Sequence, residues 1–108
     1  MFVGRVPDLV EHLGEHSRNI SRYMQDFDRH TEEIQLELSR IEAILESLEV
    51  KVDDKNLKRA IRQLVQNLKM YKPIVGRRED LQTLYTSIHK VINRTELIRK
   101  DTMHEWKG

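Results

Sequence analysis

Met24-Gln25-Asp26-Phe27-Asp28-Arg29-His30-Thr31-Glu32-Glu33-Ile34 is the stretch on which the fold turns. If it is helical, the residues on either side of it join into one long rod. If it reverses direction, they fold against each other as part of a compact four-helix bundle. Two Asp, a His and a Thr lower helix propensity here. Phe27, Ile34 and Leu38 nevertheless stay in phase with an apolar series that extends outward on both sides. That series is Val6, Val10, Leu13, Ile20, Met24, Phe27, Ile34, Leu38, Ile41, Leu45, Leu48 and Val52, interrupted only by Ser17 and Thr31. Alternating steps of four and three keep one seam of a helix facing a partner helix. Because a loop usually resets such a phase, the expectation is a continuous helix from about residue 8 to residue 51, opened by Pro7 and Asp8. At about 1.5 Å per residue it would be a rod of about 65 Å.

Two shorter helices follow. Val52-Asp53-Asp54-Lys55-Asn56 reads as a turn in which Asp53 or Asp54 caps the next helix, expected over residues 54–72. That helix carries Leu57, Ile61, Leu64, Leu68 and Tyr71, with Ala60 and Val65 widening the stripe. Pro73 ends it by removing a donor and by biasing Lys72 away from helical angles. The third helix, expected over residues 77–106, carries Leu81, Leu84, Ile88, Val91, Thr95 and Ile98, flanked by Tyr85 and Ile92. The expected fold is all-α, a single domain over residues 1–108: a helical bundle or coiled-coil hairpin with one long N-terminal helix and two shorter return helices.

Charge divides the chain at the same turn. Residues 1–54 hold 6 Lys and Arg against 13 Asp and Glu, a net of −7, whereas residues 55–108 hold 13 against 5, a net of +8. The whole-chain value of +1 conceals this opposition. The second half is therefore expected to fold back on the first with Glu42, Glu46 and Glu49 facing Lys58, Arg62 and Lys69. Such rim pairs choose register more than they stabilise, at roughly 0 to 1 kcal/mol each.

A second helix of about 19 residues returns only as far as about Ile34, by the same rise per residue. It would leave the seam of residues 8–31 bare. Leu13, Ile20, Met24 and Phe27, continued by Ile34 and Leu38, are then the expected interface with another chain, since an exposed apolar stripe of that length is rarely kept by a monomer.

The rest of the sequence bounds the chemistry. With no Cys, neither a disulfide framework, a thiolate metal site nor a Cys nucleophile is open to the chain. His12-Leu13-Gly14-Glu15-His16 matches the H-x-x-E-H pattern of zinc proteases, but five residues on a rod without a concave site read as a solvated face. Arg99-Lys100-Asp101-Thr102-Met103-His104 resembles the Arg-x4-His spacing of the HEPN family of small all-helical ribonucleases, in which Arg and His project from a late helix at a dimer cleft. This chain departs from the family at Lys100, where a polar Asn, Asp or His is usual. The resemblance implies a helical ribonuclease with His104 as its acid-base group. Lys58, Arg62, Lys69, Arg77 and Arg78 would serve a nucleic-acid reading as a phosphate-binding stripe, though few aromatics interleave it.

No signal-like apolar core follows Met1, and no apolar run reaches the roughly 18 residues of a membrane span. The expected setting is cytoplasmic or nuclear. The function that these observations favour is a non-catalytic protein–protein interaction module, a coiled-coil subunit, scaffold or docking domain of a larger assembly. It would act through a protein partner or self-association, with no catalytic residue, metal or cofactor. The alternative is a small helical ribonuclease or nucleic-acid-binding domain using the basic second half.

Overall fold

A computed structural model describes residues 5–107, with side chains described as far as Leu97. Four helices occupy this span: α1 (Val6–Met24), α2 (Thr31–Lys51), α3 (Lys55–Met70) and α4 (Arg78–Lys107). Among the described residues there is no strand.

The stretch on which the fold turns does reverse. The helix expected over residues 8–51 ends at Met24, a short 3-10 turn occupies Phe27–Arg29, and α2 begins at Thr31. Asp26 and His30 both leave helical angles, at φ −136°, ψ 68° and φ −117°, ψ 28°. Low helix propensity over Asp26, Asp28 and His30 makes the break inexpensive. Folding the seam back on itself provides the gain, since buried apolar surface contributes roughly 25 cal/mol per Å². Phase continuity did not discriminate between the two folds, because Met24 and Ile34 each face the core from their own side of the turn.

Local signals explain the other boundaries. Pro7 stands in the first turn of α1 with Asp8 beside it. Asp54 caps α3, its carboxylate accepting from the Leu57 N–H at 2.7 Å. Past α3, Tyr71 is extended, its hydroxyl donates to the Arg77 carbonyl at 3.0 Å, and the Gly76 N–H donates to the Lys72 carbonyl at 2.6 Å. Gly76 is required by space: a Cβ there would lie 2.5 Å from the Tyr71 ring and 2.8 Å from the Lys72 carbonyl.

Each helix packs on two others. α1 lies against α2 and α4, and α3 against α2 and α4, which closes an up-down-up-down bundle with α1 diagonal to α3. Arg78 at the start of α4 donates to the Met24 carbonyl at 3.1 Å, so the α1–α2 and α3–α4 reversals are joined at one end. The molecule measures 51 × 25 × 22 Å, shorter than the expected rod.

The core unites all the stripes read from the sequence. Val10, Leu13, Ile20, Met24, Ile34, Leu38, Ile41, Leu45 and Leu48 are buried, as are Leu57, Ile61, Leu64, Leu68, Leu81, Leu84, Ile88 and Val91. Leu9 and Ile44 are buried as well, outside the heptad seam. A helix that faces two neighbours needs an apolar stripe wider than a coiled-coil seam, and these two residues supply the extra width.

Candidate functional site

The bare seam expected on residues 8–31 does not exist in the folded chain. Leu13, Ile20, Met24, Ile34 and Leu38 lie in the chain's own core, and Phe27 packs half-buried against it. The reversal at 25–30 brings α2 and α4 onto α1, so the expected interface becomes internal packing.

The expected charge pairing is met at two points on the α2–α3 edge. Arg62 Nε donates to Glu49 Oε1 at 2.7 Å, and Lys69 Nζ stands 3.4 Å from Glu46 Oε1. Glu42 and Lys58 are half-buried on the same pair of helices. These contacts also divide the cationic stripe Lys58, Arg62, Lys69, Arg77 and Arg78. Two of its members hold carboxylates, and Arg78 holds a backbone carbonyl.

The histidines enter a polar layer across the bundle. His16 is hydrogen-bonded through Nδ1 to Glu37 Oε2 at 2.5 Å, and Arg40 reaches the other oxygen of Glu37 at 3.4 Å. The Glu37 side chain is only 6% exposed, against 15% for His16. Ser17, one of the two interruptions of the seam, is fully buried and shares a 2.9 Å hydrogen bond with His89 Nε2. The Tyr85 ring packs on His89 at a centroid distance of 4.5 Å. His12 stands instead beside Glu15, at 3.7 Å. The H-x-x-E-H residues are thus drawn to different partners, and among the described residues no group of three or more His, Asp or Glu is placed to hold a metal ion. Side chains of the Arg99–His104 segment lie outside the described residues.

One concave feature is not singled out by the sequence reading. α3 and α4 diverge to leave an open groove of about 900 Å³. Leu57, Leu64, Val91 and Leu97 supply its apolar lining, Ala60 and Ser87 are small residues along it, and the exposed Lys90 and Arg94 flank it. Leu97, at the groove's end, is 61% exposed, whereas Leu81, Leu84, Ile88, Val91 and Ile92 of the same helix are buried. Lys90 and Arg94 are both exposed, and among the described residues neither forms an ion pair. The signal was present in Ala60, a small residue at an edge position of a stripe otherwise built from Leu, Ile and Val. The stripe predicts Ala60 at the edge of the core, whereas the residue is exposed.

A shallower depression of about 620 Å³ lies between α1 and α4, lined by Glu15, Arg18, Asn19, Ser21, Arg22 and Tyr85. Tyr85 is the one aromatic among these residues, and no aliphatic side chain lines the depression among the described residues. No helix among the described residues is long and apolar enough to cross a membrane. The chain matches no protein-family model, no curated protein and no solved structure.

Proposed function

We propose that the protein is a non-catalytic docking module that receives a helix of a partner protein in the groove between α3 and α4. The observation that carries this reading is the groove itself: an apolar lining of Leu57, Leu64 and Val91, small residues along it and an exposed leucine at one end. Helix-in-groove recognition needs these parts, because an amphipathic helix contributes anchors at i, i+3, i+4 and i+7 to a preformed apolar channel. The floor runs from Leu57 to Asn67 on α3 and from Ser87 to Leu97 on α4, about 15 Å at the helical rise. This accommodates about three turns of a docked helix. The groove's polar lining supports binding over chemistry, since among the described residues it is two amides, a hydroxyl and two cations, with no carboxylate or imidazole to act as a base.

The test is a panel of amphipathic helical peptides, of either charge, titrated against isotope-labelled protein while amide resonances are followed. The reading expects shifts concentrated on residues 57–67 and 87–97. It also expects that Ala60→Trp, which puts a bulky ring into the groove from an exposed lining position, abolishes them without loss of helical content. Shifts confined to α1 and α2, or none with any peptide, would contradict it.

A further inference from the structure

We infer that the partner helix is acidic, with carboxylates one turn apart that engage Lys90 and Arg94. This rests on the docking reading above and specifies the chemistry of the occupant. Lys90 and Arg94 are spaced i, i+4 on α4, so they line the same side of the groove one turn apart. Carboxylates at i and i+4 on a helix lying along the channel would match that interval. Among the described residues no acidic side chain lines the groove.

The two edges of α3 sharpen the contrast. On the edge toward α2, the cations Arg62 and Lys69 are met by Glu49 and Glu46 of the chain's own acidic half. On the edge toward α4, the cations of the rim meet no such partner among the described residues. The internal acid is therefore used on one side of the basic half, and the other side presents positive charge beside apolar surface. Charge complementarity of this kind selects partners and orients them more than it adds affinity. A single-stranded nucleic acid would also answer to Lys90 and Arg94. It is the weaker fit, because among the described residues no aromatic side chain lines the groove for bases to stack on, and the apolar lining is aliphatic.

Two peptides of about three to four turns, with the same leucine anchors at i, i+3/i+4 and i+7 but Glu or Lys on the flanks, test this directly. Binding is read by fluorescence anisotropy at about 20 mM and about 500 mM salt, where screening differs strongly. The Glu peptide is expected to bind roughly five-fold more tightly than the Lys peptide at low salt, the effect of two exposed ion pairs, and to lose that preference at high salt. Lys90→Glu with Arg94→Glu should reverse the preference. Lys90→Gln with Arg94→Gln should abolish it, and both variants should keep the parent's circular dichroism because the two residues are exposed. Equal binding of the two peptides would overturn the inference while leaving docking intact. Failure of both peptides to move resonances of the groove would overturn docking as well. A single-stranded oligonucleotide that displaces the Glu peptide from residues 57–67 and 87–97 and binds more tightly would replace the acidic helix with nucleic acid as the occupant.

Discussion

Replacing His16 with Leu should cost the fold more than replacing both His16 and Glu37. The Glu37 carboxylate is 6% exposed and is held by His16 at 2.5 Å, with Arg40 as a longer second partner at 3.4 Å. Removing His16 alone leaves a nearly buried carboxylate with one weak partner, and breaking such a pair typically costs about 3 to 5 kcal/mol. Because Arg40, 47% exposed, remains as a second partner of Glu37 at 3.4 Å, the expected value falls below that range, at about 2 to 3 kcal/mol. Against a total stability on the order of 5 to 15 kcal/mol this is a large fraction. His16→Leu with Glu37→Leu removes both polar groups and extends the apolar stripe, so stability should return to within about 1 kcal/mol of the parent or exceed it. Glu37→Leu alone should cost about 1 kcal/mol, since the remaining imidazole can turn to water through its partly exposed edge. Urea denaturation followed by circular dichroism gives all four corners of the cycle. Additive losses, with the double variant weaker than either single one, would refute the assignment of this pair as a coupled polar layer.

Gly76→Ala should destabilise by about 1 to 3 kcal/mol in the same assay, because the added carbon would lie 2.8 Å from a backbone carbonyl that cannot turn aside. The Tyr71 hydroxyl is pushed up to about 12 by burial and by the nearby Asp80 carboxylate. The folded state thus keeps a proton that the unfolded chain releases near 10, and stability should fall as pH rises between about 10 and 12. Tyr71→Phe should remove that component of the alkaline decline, and an unchanged decline would contradict it. Reversal of Glu46 and Glu49 to Lys should destabilise the bundle by more at low salt than at high salt, as both carboxylates meet cations of α3 at its edge. Equal losses at both salt concentrations would show that these pairs are not felt.

Much of the fold was legible because burial leaves a period in the sequence. The stripes Leu57-Ile61-Leu64-Leu68 and Leu81-Leu84-Ile88-Val91 marked two helices and their core faces, and Pro73 and Asp54 marked their limits. The reversal at 25–30 was not legible from phase, since a turn between two core-facing helices places an apolar residue at each of its shoulders, as Met24 and Ile34 do. Propensity over Asp26–His30 was the better guide. Leu9 and Ile44 lay outside the heptad yet carried the information that each helix has two neighbours. Ser17 was visible as a gap in the seam, but its partner His89 lies 72 residues away and belongs to tertiary structure. The groove was hidden for a similar reason: Ala60, Ser87 and Leu97 acquire meaning only when α3 and α4 are placed side by side.

The central claim is that residues 25–30 turn the chain back, so that α1 is covered by its own chain and the α3–α4 groove is left open. With no native Cys, spin labels at Glu11→Cys and Ser39→Cys, both exposed positions, report this by electron–electron distance measurement. A continuous helix would separate the two positions by about 42 Å at its 1.5 Å rise, whereas antiparallel neighbours pack about 8 to 10 Å apart between axes. The account predicts a single distance population below about 25 Å once label length is added to that axis separation. A population centred near 42 Å, the separation along an unbroken helix, would contradict it.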